Sequence, residues 1–236
     1  MRKIWFIAQK ELSGYFRSPM AYIVLVLAIS IFNFFFFVII DTNQEASLRD
    51  VFQVMQFMLL FFVPIMTMKT FAEEKMLGTM EFLTTTPTTI TQITLGKYLG
   101  SFLFFMVLVL LTGVYYCVIE AFASIDRMAV LSGYVGFILQ GAFLIAIGIM
   151  ASSWTQNQMV AAIISYTILF ALYFLLSLTK YVAGPVEEVV RYLSTLSHVE
   201  NFSVGLIVLS DVVYYITGII LCLIVTRFSL KVQFWK

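Results

Sequence analysis

The sequence predicts an all-α integral membrane protein, six transmembrane helices preceded by an amphipathic interfacial helix, and three observations carry that prediction. Of 236 residues, 61% are hydrophobic and only 11% are charged, with 24 Phe, a composition foreign to a soluble domain of this size. The apolar residues fall in runs of spanning length, since a bilayer core takes roughly 20 of them in a helix. Those runs are continuous, whereas a lipid-facing barrel would alternate over segments of about ten residues. The chain is read as one transmembrane domain, 1–236.

In residues 1–17, Ile4, Ile7, Ala8, Leu12 and Tyr15 recur at helical spacing while Arg2, Lys3, Lys10 and Arg17 supply charge. That pattern predicts an amphipathic helix lying along the inner leaflet. Ser18 and Pro19 then turn the chain into the bilayer. The apolar patch before Lys10 and Glu11 is too brief for a cleavable signal, so the segment is expected to stay in the mature chain. Spans follow at 20–40, 51–68, 98–119, 129–151 and 159–178, each free of Asp, Glu, Lys and Arg. Cys117 and Cys222 fall inside spans and read as packing residues.

The last apolar stretch is interrupted by Asp211. A charge at mid-membrane costs a few kcal/mol, so Asp211 is expected to mark the outer end of a final span at 212–226. Residues 179–211 then form an external loop whose end, from Phe202 to Ser210, dips into the outer leaflet or lies at the interface. Asp211 is thereby a candidate for an external gate, weighed against an ordinary interfacial residue at a helix start. The single histidine, His198, reads as a polar surface or packing residue.

Orientation follows from the basic residues. With the N-terminus inside, Arg2, Lys3, Lys10, Arg17, Lys69, Lys75, Lys97, Arg227, Lys231 and Lys236 are cytoplasmic, against Arg49, Arg127, Lys180 and Arg191 outside. Both termini are expected in the cytoplasm, with Trp5, Trp154 and Trp235 at the inner boundary as interfacial anchors.

Segment 69–97 is the long polar interruption between two uncharged runs, and thus the place to meet a soluble partner. Thr84, Thr85, Thr86 and Pro87 break it into two helices. In the first, from Phe71 to Leu83, the residues Ala72, Met76, Met80 and Leu83 form an apolar stripe, with Glu74 and Glu81 on another face and Gly78 as a notch between them. The second, capped by Thr88 or Thr89, runs into the third span, where Gly96 and Gly100 make a small-xxx-small pair for close packing.

Glu73, Glu74, Lys75, Gly78, Thr79, Glu81, Leu83, Pro87, Gly96 and Lys97 resemble the E-E-K-x-x-G-T-x-E-x-L…P…G-K pattern of the ABC-2 type transporter permeases. Six spans, a basic N-terminal helix and the motif between the second and third spans agree with that family over the whole chain. The wording is most similar to the GldF-like, gliding-motility-type permeases. The resemblance implies a transmembrane subunit of an ATP-binding cassette complex in a bacterial cytoplasmic membrane. It implies a connecting helix at 1–17 and a coupling helix that docks on a cytoplasmic ATPase through Glu73, Glu74, Lys75, Gly78, Thr79 and Glu81. It further implies a second permease, identical or homologous, and re-entrant helices before the last span. An extracytoplasmic partner is compatible with it.

ATP and Mg are expected on that partner ATPase. Gly96 and Lys97 lack the rest of a P-loop, with Thr91 where its first glycine should stand and Tyr98 after the lysine. His198 has no second histidine at metalloprotease spacing, no paired intramembrane carboxylates stand out, and no enzyme activity is expected of the chain itself. No cofactor, metal or nucleic acid is expected on this chain. The absence of charge inside the spans disfavours a small-ion pathway and suits a hydrophobic or amphipathic substrate, or force transmission in the envelope. The rival reading is a membrane scaffold that anchors an envelope complex without transport, for which the external loops offer little area.

Overall fold

The computed structural model describes residues 2–43, 48–80, 88–122, 126–181 and 184–234, and among these the chain forms helices and no strand. In chain order they are α1 (Arg2–Arg17), α2 (Pro19–Asn43), α3 (Arg49–Thr67), α4 (Lys69–Met76), α5 (Ile90–Phe122), α6 (Arg127–Trp154), α7 (Gln158–Leu178), α8 (Pro185–Leu193), α9 (Thr195–Ser203) and α10 (Leu209–Phe234). Six of these helical stretches, counting α3 with α4, are long and apolar enough to cross a membrane. They alternate in direction, so α1, α4, the start of α5 and the ends of α6 and α10 share one end of the bundle. This is the terminal end; α8 and α9 sit at the distal end.

α6 is the axis of the bundle: 83% of its most apolar window is buried, against 22% for α7. Its glycines explain why. A Cβ on Gly133 would lie 2.4 Å from the Phe52 ring, one on Gly136 2.5 Å from Phe202, one on Gly141 2.2 Å from the Phe105 ring, and one on Gly148 2.0 Å from the Thr67 hydroxyl. Each glycine is thus a socket for a side chain of α3, α5 or α9, the close approach that small residues allow between helices in lipid. The same logic is reversed at Gly218 of α10, which receives the Phe143 ring of α6. The outward faces of α2, α7 and α10 carry Phe37, Ile163 and Ile224, each more than half exposed. Apolar surface of that kind suits acyl chains.

α5 begins at Ile90, ahead of the span at 98, where Thr89 makes the expected cap: the Thr89 amide donates to Gln92 Oε1 (3.2 Å) and the Gln92 amide to Thr89 Oγ1 (3.3 Å). Segment 179–211, expected as an external loop with a possible re-entrant helix, is mostly helical, as α8 and α9. α10 runs from Leu209 to Phe234, past both ends of the expected 212–226. It begins before Asp211 because that carboxylate is paired within the protein, and its far end reaches α6, where Gln233 Nε2 donates to the Ser153 carbonyl at 3.3 Å.

Candidate functional site

The charged residues of the terminal end converge on Lys97. Its side chain is 2% exposed, and its ammonium spends all three N–H bonds: 2.7 Å to Glu11 Oε1 of α1, 2.9 Å to Glu74 Oε1 of α4, and 2.8 Å to the Thr70 carbonyl of α4. The Phe71 ring lies beneath it at 5.1 Å. A buried ammonium is tolerated only when paired and fully hydrogen-bonded, and here every donor has a charged or carbonyl acceptor. One side chain of α5 therefore ties α1 and α4 to the base of the third span.

Two packing devices bring the three helices together. The first is the pair Gly96 and Gly100, which forms the groove that receives α1: a Cβ at Gly96 would stand 2.6 Å from Ile7 Cβ, and one at Gly100 2.5 Å from Glu11 Cβ and 3.0 Å from the Ala8 carbonyl. The stripe of α1 thus faces protein, with Ala8 fully buried and Tyr15 nearly so. Tyr15 Oη donates to the Met66 carbonyl at 3.0 Å and meets Ser101 Oγ at 3.1 Å. The large apolar residues of α1 left exposed are Trp5, Phe6 and Phe16.

The second device lies where α3 passes into α4. Ser152 of α6 accepts from the amides of Phe71 and Ala72, both at 3.0 Å, and donates to the Met68 carbonyl at 2.9 Å. The hydroxyl of a neighbouring helix thereby satisfies amides of the first turn of α4, which has no side-chain cap of its own. Lys75 Nζ donates to the adjacent Ser153 carbonyl.

α4 stops at Met76, so the helix expected from Phe71 to Leu83 is shorter than that. Gly78, at φ 68°, closes it: the Leu77 amide donates to the Glu73 carbonyl (2.9 Å), Gly78 to Lys75 (3.2 Å) and Thr79 to Glu74 (3.0 Å). Gly78 is a helix stop instead of a notch. Thr79 Oγ1 also donates to the Glu74 carbonyl at 3.2 Å. The exposed acidic face expected of Glu74 is corrected as well, since its side chain is only 19% exposed and turns inward to Lys97. Its other oxygen, Oε2, is buried without a hydrogen-bond partner. Glu73 is half-buried and lines an open cavity of about 360 Å³ with Glu74, Lys69, Arg17 and Leu77. Met76 and Leu77, both more than half exposed, form the tip beside it. Glu81 and the Thr-Pro break lie outside the described residues.

Glu73, Glu74, Lys75, Gly78 and Thr79 therefore share the terminal end, while Asp211 belongs to the distal end. There Asp211, 2% exposed, meets His198 Nδ1 at 2.6 Å through Oδ1 and accepts from Asn201 Nδ2 at 2.8 Å through Oδ2. The His198 ring stacks on Tyr214 with centroids 4.1 Å apart, and Tyr214 Oη donates to the Leu193 carbonyl at 2.9 Å. His198 is thus a buried, paired residue that joins α9 to α10, and Asn201 and Phe202 are engaged in the same packing.

Sequence reasoning missed Glu11, Thr70, Ser152 and the pairing of Lys97. Glu11 carried a usable signal: it follows Ala8 by three and precedes Tyr15 by four, so an acid stood within the apolar stripe. Ser152 carried none. Compared with known proteins, the chain matches no family model and no curated protein.

Proposed function

We propose that this chain is a permease subunit of an ATP-binding cassette transporter of the ABC-2 type, in a bacterial cytoplasmic membrane, with its terminal end in the cytoplasm. The observation that carries the reading is the Lys97 node. A helix that receives motion from an ATPase must be fixed to the spans it moves, and Lys97 fixes α4 to α5 and α1 through three charge-assisted bonds. The residues that would meet the partner are those the node leaves free: Glu73, the Met76 and Leu77 tip, and the turn at Gly78 and Thr79, continuing into the segment that holds Glu81. Glu74 serves the joint from inside. ATP and Mg belong to the partner ATPase, and a second six-span permease completes the pathway for a hydrophobic or amphipathic substrate, or the unit that passes force to the envelope.

The experiment is affinity purification of the chain from its native membrane. A P-loop ATPase is expected to co-purify, and Glu73→Lys combined with Leu77→Asp is expected to reduce its recovery about tenfold while leaving the chain folded and inserted. Recovery unaffected by those changes would remove the docking role from α4. A chain that purifies with envelope proteins and no nucleotide hydrolase would instead be a scaffold.

A further inference from the structure

The distal end holds a proton whose place the hydrogen-bond geometry fixes. His198 Nε2 lies 2.9 Å from the Tyr192 carbonyl at the end of α8. A carbonyl offers only lone pairs, so Nε2 carries a hydrogen. Nδ1 lies 2.6 Å from Asp211 Oδ1 on α10. Two lone pairs at that separation repel, so a second proton lies between them, whichever atom owns it. Both contacts stand only while the pair holds two protons and is neutral overall.

We propose that His198 and Asp211 form a proton-binding site, and that release of its second proton undocks α9 from α8. With one proton left, one of two contacts must face lone pair against lone pair. The carboxylate contact is the stronger, being charge-assisted, so the Tyr192 carbonyl is the one lost. That carbonyl ends α8, and its bond to the ring holds α8 against α9. His198 and Asp211 stand in the wall of an open cavity of about 690 Å³, a route by which a proton can leave. The charged groups around it are Lys180, Glu188, Arg191 and Glu200 in that cavity. Tyr192, Tyr214 and Tyr215 set their rings against the imidazole. The ends of α3 and α6 that pack on α9 bring Arg49, Asp50 and Arg127 to the same end. Raising the pH on the side that this end faces should therefore loosen the α8 and α9 hairpin.

The test uses the fact that His198 is the only histidine of the chain. Full-length, untagged protein labelled with 15N-histidine and held in lipid nanodiscs reports this imidazole alone, while hydrogen exchange on the same sample reports amide protection across 185–203. As the pH is raised from about 5 to about 9, loss of the second proton is expected to appear as one step in the imidazole 15N signals. Protection corrected for intrinsic exchange should fall about tenfold to hundredfold in the same step. Asp211→Asn gives the control, because its carboxamide can donate to Nδ1 and still accept from Asn201. Both contacts then stand with a single imidazole proton, and protection should not fall as the pH rises. No step in the native protein, protection that ignores the step, or an unchanged protection profile in the Asp211→Asn variant would each overturn the proposal.

Discussion

Replacing Lys97 by Met is expected to be the most costly single change at the terminal end. The methionine fills most of the lysine's volume, so the loss is electrostatic: Glu11 and Glu74, 17% and 19% exposed, are left facing each other with no cation between them. Breaking a buried pair from one side costs about 3–5 kcal/mol. Glu74→Gln should cost no more than about 1 kcal/mol, since the carboxamide oxygen still accepts from Lys97 and one surplus negative charge is removed. The triple change Lys97→Met, Glu11→Gln, Glu74→Gln removes every charge and should recover at least about 2 kcal/mol of the Lys97→Met loss, as neutral replacements of buried ionic networks do. The assay is equilibrium unfolding in mixed micelles, followed by the fluorescence of the three tryptophans, with hydrogen exchange of α1 as the local readout. A Lys97→Met protein within about 1 kcal/mol of the parent would refute the reasoning, as would a triple variant as unstable as Lys97→Met.

The other structural predictions use the same unfolding assay. Gly100→Ala drives a methyl group against the Ala8 carbonyl and Glu11 Cβ, and should cost about 1–3 kcal/mol and strip exchange protection from α1 before the spans are affected. Ser152→Ala strands the Phe71 and Ala72 amides and should cost about 2–4 kcal/mol, with frayed amides at the start of α4 as its local signature. Gly141→Ala collides with the Phe105 ring; Phe105→Ala alone should be costly because that ring is 1% exposed. The double variant should be less unstable than the two losses added, by about 1–3 kcal/mol, and strict additivity would place the collision elsewhere.

The spans were legible because length and apolarity are properties of each segment alone, and lipid leaves a backbone few alternatives to the helix. Uncharged runs between polar punctuation located five spans to within a few residues, and the expected cap at Thr88 or Thr89 located the earlier start of α5. The Gly96 and Gly100 spacing marked a close contact, yet only the fold could say that its occupant is α1. The same limit applies to every feature made between distant segments. Lys97 looked like a stray basic flank because its acids lie 86 and 23 positions away, as the numbers of Glu11 and Glu74 give (97 − 11 and 97 − 74). His198 looked ordinary because its partner, Asp211, was assigned to a membrane boundary. Helix period describes one face of one helix; it is silent on which face of another helix meets it. The E-E-K run misled in a narrower way, since alternation around a helix assigned Glu74 to an exposed face, and the ammonium of another span drew it inward.

The two ends of the bundle differ in how firmly they are held, and the difference bears on what can move. At the terminal end, the node joins α4 to α1 and α5, while Ser152 joins the same helix to α6. A displacement of α4 is therefore delivered to two bodies at once: α1 with α5, locked through the Gly96 and Gly100 groove, and α3 with α6, locked through the glycine sockets. Those bodies meet at sparse polar contacts, Tyr15 Oη to the Met66 carbonyl at 3.0 Å, Tyr134 Oη to the Thr112 carbonyl at 2.8 Å and Tyr98 Oη to the Ala142 carbonyl at 3.4 Å, beside the Phe105 ring seated at Gly141. Shear between them breaks three neutral hydrogen bonds, each worth about 0.5–1.5 kcal/mol, whereas separating α4 from either body strands a buried charge or a pair of amides. The α5 and α6 seam is accordingly the surface on which force applied at α4 would be spent. At the distal end α6 also holds α9, through the Ser132 hydroxyl on the Phe202 carbonyl at 2.9 Å. Motion along the seam thus reaches the helix that His198 holds in place.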